Sequence, residues 1–323
     1  MYNGSMSNDV LVRVEHLFRY YGDICALHDV TFDIGKGEVL GLLGPNGAGK
    51  STTMQILSGN LAPSAGRVWI NGIDILDQPK LAKAALGYLP DQPPLYRELT
   101  VDEYLNYCAR LHRIPRDRRN AAVDKAKQRC GLTEVGARLI GNLSKGYQQR
   151  VGIAQAIVHT PALVILDEPT VGLDPIQVRE IRALIRELSG EHSVILSTHI
   201  LPEVQATCDR VQIINKGRLV LNDSIDGLLA RMQSSSMLVA LRNPPPVLAL
   251  ESLPGVRSVA PLPDGRLRLH YFPDANPAQI LVERSVQHNW GLYELTPERM
   301  SLEQIFVDIT RTEPHAVVTE EAA

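Results

Sequence analysis

The sequence predicts an α/β fold that is built around a mostly parallel sheet. Three short runs of mainly apolar residues, at 39–43, 162–166 and 194–196, end in glycine or polar residues. Runs of this kind are typical of strands that are buried on both faces. Helical stretches separate them, which is the alternation expected of an α/β fold. Because 323 residues exceed what one hydrophobic core usually serves, we expect either one large domain plus a small one or two domains.

The first part of the chain predicts antiparallel strands, then a buried strand and a helix. Residues 10–34 alternate between apolar and polar positions, with a turn near Tyr21. The apolar run at 39–43 leads straight into a glycine, and a helix is predicted over 50–58. A further strand and turn, "GRVWINGIDI", follow at 66–75. We therefore expect an N-terminal antiparallel part beside the parallel core.

The middle of the chain predicts a helical insertion. Residues 100–141 are polar with helical periodicity, and Pro115 separates two helices there. Ser144 can cap the next helix, and a hydroxyl beside the bare N–H groups of a helix start makes an anion site. The two remaining apolar strands follow, and a hairpin is predicted over 210–221. We expect the first domain to span residues 9–232.

A second domain is predicted after the serines at 234–236. Its strands and helices follow the order βαββαβ, which is that of the ferredoxin-like α+β fold. The elements are predicted at 237–242, 246–253, 256–261, 266–272, 277–288 and 291–295. We expect this accessory domain to span residues 237–310, with a closing helix at 301–310. The two ends of the chain, 1–8 and 311–323, are expected to be flexible or disordered.

Composition and charge exclude several classes of protein. The net charge of −3 gives no electrostatic reason to expect nucleic acid as a main partner. No stretch approaches the roughly 18 consecutive apolar residues of a membrane-spanning helix. The N-terminus lacks the basic and apolar segments of a secretory signal. The four cysteines are scattered without a C-x-x-C pair, so we expect thiols in a reducing cytosol rather than metal ligands or disulfides.

Residues 44–51, "GPNGAGKS", match the pattern G-x-x-x-x-G-K-[ST] of a phosphate-binding loop. The match lies between a buried strand and a helix, as the motif requires. Its glycines let backbone N–H groups surround phosphate oxygens, Lys50 can reach the terminal phosphates, and the Ser51 hydroxyl can hold Mg²⁺. The motif therefore predicts a nucleoside triphosphate site. The predicted phosphate-binding residues are Gly44, Pro45, Asn46, Gly47, Ala48, Gly49, Lys50, Ser51 and Thr52.

Two carboxylates, Asp167 and Glu168, follow the apolar strand at 163–166. Such a pair is often no more than an acidic loop at a strand end. Here the strand belongs to the same predicted sheet as the phosphate loop, and sheets of this type bind ligands at their strand ends. We therefore predict that Asp167 holds Mg²⁺ and that Glu168 is the general base toward the attacking water.

His199 ends the third apolar strand. A single histidine is more often structural than catalytic. At the carboxyl end of a strand in a nucleotide-binding sheet, however, a catalytic role is the more frequent one. Its imidazole can hydrogen-bond the γ-phosphate or orient Glu168 and the water. We predict a catalytic role for it.

Five motifs in this order resemble those of the ATP-binding cassette family, the ATPase subunits of ABC transporters. They are the phosphate loop, "LSKGYQQR" at 143–150, "VILDEP" at 164–169, "GLD" at 172–174 and "STH" at 197–199. The resemblance covers about residues 9–230. It implies a P-loop NTPase fold of the ABC type with a helical subdomain, ATP and Mg²⁺ as ligands, and ATP hydrolysis coupled to transport.

The resemblance also implies a head-to-tail dimer of two copies of the chain. In the family, each signature helix start closes on the γ-phosphate that the other cassette's phosphate loop holds. On this resemblance, Ser144 and Gly146 bind the neighbour's ATP. Tyr21 matches the aromatic residue that stacks on adenine, although on residue type alone it suits the core equally well.

The chain departs from the family's pattern in two places. The signature has Lys145 and Tyr147 where Gly and Gln are common, but the matching serine and second glycine keep the hydroxyl and backbone donors that a phosphate needs. After "YLP" at 88–90 the family usually has Gln, whereas the ungapped match here is Asp91, with Gln92 next. Either side chain can offer an oxygen to Mg²⁺ or water, and the choice between them stays open.

Within the family, "GYLPDQPPLYRELTVDEYL", "LSKGYQQRVGIAQAI" and "LSTHILPEV" look most like the ATPases of ABC-2-type exporters. The gliding-motility and multidrug kinds are closest, and the nitrous-oxide-reductase maturation type is a cousin. This likeness implies a peripheral protein on the cytoplasmic face of the membrane, held by integral-membrane permease subunits in a separate polypeptide. The transported substrate is not encoded here, because the path for it lies in those subunits.

The sequence opposes two alternatives to a transporter subunit. A soluble ABC ATPase acting on ribosomes or DNA usually has two cassettes or a long coiled-coil insertion, whereas this chain has one uninterrupted cassette. A binding module that has lost catalysis is opposed by the presence of Lys50, Asp167, Glu168 and His199.

Overall fold

The computed structural model of the protein describes residues 9–272 and 274–299. Three expectations, the flexible start at 1–8, the closing helix at 301–310 and the disordered tail at 311–323, lie outside the described residues.

The chain divides into two compact units between Ile225 and Asp226. This division falls at the start of a helix, Ile225–Met232, which the sequence analysis grouped with the first domain. The apolar pattern of a short helix tells which of its faces is buried but not which core covers that face. The two units are described separately below.

The first unit begins with an antiparallel sheet and continues with a larger, mostly parallel one. Its strands, in chain order, are β1 (Val10–Tyr21), β2 (Ile24–Gly35), β3 (Val39–Leu43), β4 (Ala65–Ile70), β5 (Ile73–Asp74), β6 (Leu86–Leu89), β7 (Leu163–Asp167), β8 (Ser193–Thr198), β9 (Arg210–Asn215) and β10 (Arg218–Ser224). The antiparallel sheet has the order β2-β1-β4-β5. In it β1 and β2 form the hairpin predicted from the alternation, with Val12, Val14 and Leu17 fully buried.

The larger sheet has the order β10-β9-β3-β8-β7-β6. All its neighbouring pairs are parallel except β9 and β10, which form the predicted hairpin. Every residue of β3, β7 and β8 is buried, as the apolar runs predicted. Leu43 is level with Thr198 in the register, and Asp167 is level with Ser197. The residues that follow these strands therefore meet at one edge of the sheet.

Several helices of the first unit begin at a side-chain cap. The helices of this unit are α1 (Lys50–Leu57), α2 (Pro79–Ala84), α3 (Val101–Leu111), α4 (Arg116–Arg129), α5 (Lys145–Ile157), α6 (Pro175–Leu188) and α7 (Leu201–Thr207). Thr100 and Glu103 form a capping box at the start of α3, and Pro115 is the N-cap of α4, so the predicted helical insertion is confirmed. Asp174 caps α6 through backbone N–H groups of its first turn.

The second unit contains the predicted βαββαβ order. After α8 (Ile225–Met232) its elements are β11 (Gln233–Leu241), α9 (Val247–Glu251), β12 (Val256–Pro261), β13 (Leu267–Tyr271), α10 (Ala278–Gln287) and β14 (Leu292–Arg299). The strands form an antiparallel sheet in the order β12-β13-β11-β14. Its core includes Val239, Leu250, Leu269 and Leu281, which join the sheet to both later helices. This is the strand order of a ferredoxin-like fold, so the predicted fold class is confirmed.

None of the helices within the described ranges is long and apolar enough to cross a membrane.

Candidate nucleotide-binding site

The phosphate-binding loop connects β3 to α1 and needs glycine at its bends. Gly47 and Gly49 have left-handed φ values of 77° and 111°, and Gly49 is the N-cap of α1. A Cβ at Gly49 would also lie 2.8 Å from the Leu27 side chain. The loop is fastened to the turn between β9 and β10 by a hydrogen bond from the Gly217 N–H to the Ala48 carbonyl, 2.8 Å long. The backbone N–H groups at the start of α1 therefore face outward from a rigid turn, which suits a bound phosphate.

Lys50, at the first position of α1, is 6% exposed. Its Nζ donates to the carbonyl oxygens of Gly44 and Pro45, at 2.8 and 3.3 Å, and lies 3.7 Å from Glu168 Oε1. The loop's own carbonyls thus hold the ammonium at the floor of the turn. A phosphate bound to the loop would meet a positive charge that is already in place.

Asp167 ends β7 and is 4% exposed, and its Oδ1 has no hydrogen-bond partner among the groups that the structure describes. Burial raises the pKa of Asp167 above its ordinary value and the Asp91 carboxylate adds to the rise, while the hydroxyls of Ser197 and Ser51 and the Lys50 cation lower it. A carboxylate oxygen without a donor, beside a second carboxylate and a serine hydroxyl, is the oxygen donor set that Mg²⁺ takes. These residues therefore fit the predicted ion.

Asp91, rather than Gln92, is the residue after β6 that lines the cleft beside the phosphate loop. Its charge also acts on the other groups of this edge. The pKa of Tyr88 is raised to about 12, first by burial and then by the Asp167 and Asp91 carboxylates. The structure therefore brings Asp91 to the site, and Gln92 is not among the residues that line it.

Glu168 and His199 follow β7 and β8 and lie side by side. The Nδ1 atom of His199 is 3.1 Å from each carboxylate oxygen of Glu168. The Glu168 N–H donates to the Ser197 carbonyl at 3.0 Å, and Glu168 has a left-handed φ of 48°. The Glu168 side chain is 13% exposed and that of His199 44%. The pair is thus a partly covered carboxylate with an imidazole beside it, and both line the cleft.

The cleft that these groups share has a volume of about 380 Å³. Its lining residues are Ala26, Asn46, Gly47, Gly49, Lys50, Ser51, Thr52, Asp91, Glu168, Val171 and His199. Of the other predicted loop residues, Gly44 and Ala48 are buried beneath the turn, where the Ala48 methyl joins the core, and Pro45 is exposed. Ala26 and Val171 also line the cleft and were not predicted. Val171 lies between "DEP" and "GLD" and could have been inferred from that position, whereas no local signal marks Ala26.

Tyr21, Ser144 and Gly146 are not among the residues that line this cleft. Tyr21 is 44% exposed at the end of β1, and the Arg19 guanidinium lies 4.7 Å from its ring centroid. Its ring is therefore on the surface rather than in the core, which was the other interpretation of this residue.

Ser144 caps α5 at a place that is open to solvent. Its side chain accepts from the Tyr147 N–H at 3.4 Å, and both Ser144 and Lys145 are exposed. Gly146 is buried against α6, where a Cβ would lie 2.6 Å from the Gln177 side chain. The signature is thus an exposed helix start away from the phosphate loop of its own chain.

Replacing Lys50 with alanine is expected to weaken ATP binding without unfolding the chain. A hydrogen bond to a charged group is worth about 1.5–3 kcal/mol, so the loss of the ammonium should raise the ATP dissociation constant roughly 10- to 100-fold. Isothermal calorimetry measures the affinity, and a thermal melt checks the fold. Lys80→Ala, at an exposed lysine outside the cleft, is the matched control. Unchanged affinity in Lys50→Ala would contradict the assignment of the loop.

Comparison with known protein families supports this interpretation of the cleft. Residues 27–171 match the family model described as "ABC transporter". The matched segment includes the phosphate loop, Asp91, the signature at the start of α5, and both carboxylates after β7.

Individual relatives extend the match over almost the whole chain. The ABC transporter ATP-binding protein YdbJ of Bacillus subtilis is 34% identical over 302 residues, which is 93% of this chain and 95% of that protein. The bacitracin transport ATP-binding protein BcrA of Bacillus licheniformis is 30% identical over 93% of this chain and 97% of its own length. The structure of cbiO1 from Clostridium perfringens, part of the ABC transporter complex cbiONQ, has a TM-score of 0.64 and 33% identity over 69% of this chain and 92% of that chain.

Proposed function

The chain belongs to the ATP-binding proteins of ABC transporters, which hydrolyse ATP to power transport, and we propose that it drives an ABC-2-type exporter as a head-to-tail dimer. The observation that supports ATP hydrolysis in this proposal is that Lys50, Glu168 and His199 line one cleft. Each of these side chains comes from a different segment of the chain, and the sheet register brings the segments together.

The proposed chemistry assigns a task to each of these groups. Backbone N–H groups of the phosphate loop and the Lys50 ammonium hold the β- and γ-phosphates of ATP. Glu168 accepts a proton from the water that attacks the γ-phosphorus. His199 keeps the Glu168 carboxylate in place and can donate to the γ-phosphate. Because Glu168 and Lys50 are 3.7 Å apart, the base lies close to the charge that holds the terminal phosphate.

Ser51, Asp167 and Asp91 are the residues that would hold Mg²⁺. The partnerless Oδ1 of Asp167 and the nearby Asp91 carboxylate support this assignment. When bound, the ion would neutralise charge on the β- and γ-phosphates. In our proposal Asp91 takes the place of the family's usual glutamine.

The proposed dimer accounts for the two phosphate-binding helix starts of one chain. The start of α1 lines the cleft, whereas Ser144 at the start of α5 is exposed and does not line it. A helix start that caps itself and faces solvent is available to a second copy of the chain. In a two-fold arrangement each Ser144 would close on the ATP of the other copy, which gives two complete sites.

The proposed partners are permease subunits in a separate polypeptide, which would hold the chain at the cytoplasmic face of the membrane. The names of the relatives, which are those of transporter subunits, support this proposal and give no support to the alternative of an ATPase for ribosomes or DNA. Export is proposed because the segments at 87–105, 143–157 and 196–204 look most like those of exporter ATPases.

We further propose that residues 237–310 act as an accessory domain.

Affinity purification from detergent-solubilised membranes tests the proposed partners. We expect the tagged chain to retain an integral-membrane protein that lacks a nucleotide-binding cassette, and ATP turnover to rise when the two are reconstituted in proteoliposomes. Lys50→Ala, purified in parallel, should retain the partner without turnover. Recovery of ribosomes or DNA in place of a membrane protein would favour the alternative.

A further inference from the structure

Glu203 is a buried carboxylate that the proposed chemistry does not use. It lies in the first turn of α7 and is 2% exposed. Burying a carboxylate is costly unless its oxygens are paired, so a buried glutamate calls for an account of its partners. Its two oxygens accept hydrogen bonds from two different threonines. Thr170 Oγ1 donates to Oε1 at 2.6 Å, and Thr198 Oγ1 donates to Oε2 at 2.8 Å.

These two threonines flank the proposed catalytic pair. Thr198 is the residue immediately before His199, at the end of β8. Thr170 is two residues after Glu168, in the turn that follows β7. Thr198 is fully buried and Thr170 is 5% exposed, so water cannot easily replace either hydroxyl bond. One carboxylate thus connects the two turns that carry the pair.

The turn after β7 needs such support because of its backbone. Glu168 has a φ of 48°, and a non-glycine residue in the left-handed region costs on the order of 1–3 kcal/mol, which the surrounding structure must over-determine. The Val171 N–H donates to the Glu168 carbonyl at 3.2 Å and closes the turn, while Thr170 anchors it to Glu203. Thr170 bonds a side chain on α7, and the same carboxylate also bonds Thr198 at the end of β8. This shared partner fixes where the turn lies relative to β8.

The turn after β8 is held by the same carboxylate. Thr198 Oγ1 donates to Glu203 and also accepts from the Ile200 N–H at 3.1 Å. Its hydroxyl therefore connects the residue before His199 to the backbone of the residue after it and to Glu203. The negative charge of Glu203 has a partner as well, since Arg182 Nη2 on α6 lies 3.7 Å from Oε1. The arrangement satisfies a carboxylate that can only accept hydrogen bonds.

We propose that Glu203 is a positioning residue for ATP hydrolysis, which fixes the distance between Glu168 and His199 by bonding Thr170 and Thr198. The inference rests on the proposed roles of Glu168 and His199. Glu203 is not among the residues that line the cleft, and its hydrogen bonds from Thr170 and Thr198 are the route by which it would act on the pair. Small displacements at a reacting centre are enough to matter, because a misplacement of about 1 Å can cost roughly 100-fold in rate.

Thr170→Val is the sharpest test, because it removes one hydroxyl and keeps the side-chain shape. We expect the kcat for ATP to fall at least about tenfold while KM stays within about twofold, because Thr170 is not among the residues that line the cleft. Thr170→Ser restores the hydroxyl and should restore turnover to within about twofold. Thr207→Val is the matched control, because Thr207 lies on α7 with the Glu203 carboxylate, is fully buried, and has a hydroxyl without a partner among the described groups.

A second variant keeps the proposal testable if Thr170→Val does not fold. Glu203→Asp keeps the charge that faces Arg182 but shortens the side chain, so it cannot reach both threonines. If Glu203 acts by bonding both threonines, Glu203→Asp should lose kcat as Thr170→Val does, at an unchanged KM. If Glu203 only neutralises the charge of Arg182, Glu203→Asp should turn over ATP normally. The proposal is overturned if either folded variant turns over ATP at the wild-type rate, or if Thr207→Val loses as much activity as Thr170→Val.

Glu168→Gln, assayed alongside, separates failure of this inference from failure of the proposed function. If Glu168→Gln abolishes turnover while Thr170→Val and Glu203→Asp are normal, only the positioning role is wrong. If Glu168→Gln itself turns over normally, the role of Glu168 and the positioning role that depends on it are both wrong.

Discussion

Glu168→Gln is expected to keep ATP binding and to lose hydrolysis almost completely. The substitution preserves the shape of the side chain and removes the proton acceptor, and a positioned base is worth roughly 10²–10⁴ in rate. Lys50 keeps both of its carbonyl partners in the loop, so the phosphate site should be unchanged. Because hydrolysis is what separates the two copies in our proposal, the variant should also accumulate as an ATP-bound dimer.

The measurements for this variant are steady-state phosphate release, calorimetric ATP affinity, and molar mass by light scattering with and without ATP. Glu187→Gln, at an exposed glutamate on α6, is the matched control and should behave as wild type in all three. Turnover of Glu168→Gln within a few-fold of wild type would mean that another group takes the proton. His199 lies 3.1 Å from the carboxylate and would be the first candidate.

The fold could be predicted from the sequence wherever a local pattern decides the structure. The apolar runs within β3, β7 and β8 show no alternation with polar residues, and this pattern favours strands that are covered on both faces. The phosphate loop was predictable for a related reason. Glycine at 47 and 49 is needed for the left-handed φ values, and that requirement is visible in the sequence itself.

The parts of the site that sequence reasoning missed depend on contacts between distant segments. Glu203 meets Thr170 across 33 residues of chain, and a glutamate near the start of a short helix looks like an ordinary first-turn acid. The choice between Asp91 and Gln92 was open because both follow β6 and both carry an oxygen. Only the path of the backbone after that strand brings one of them to the cleft.

Ser144→Arg is expected to abolish hydrolysis while leaving ATP binding to a single chain intact. The phosphate loop lies elsewhere on the chain, and Ser144 is not among the residues that line its cleft. In the proposed dimer, an arginine side chain at the start of α5 would fill the space of the neighbour's γ-phosphate, so the two copies could not close. Calorimetry should give the wild-type affinity, and light scattering should give no ATP-dependent dimer. Ser252→Arg, at an exposed serine in the second unit, is the control for adding the charge.

Mixing Ser144→Arg with Lys50→Ala tests whether each site is shared between two chains. Every homodimer of either variant has two damaged sites, because each site takes its loop from one copy and its signature from the other. In a mixed dimer both lesions fall on one site and the other is wild type, so part of the wild-type activity should return if one intact site is enough to close and turn over ATP. Mixing Lys50→Ala with Glu168→Gln is the matched control, because these two lesions lie in different sites of the mixed dimer and no activity should return. Normal hydrolysis by Ser144→Arg alone, or equal recovery in both mixtures, would contradict the head-to-tail arrangement.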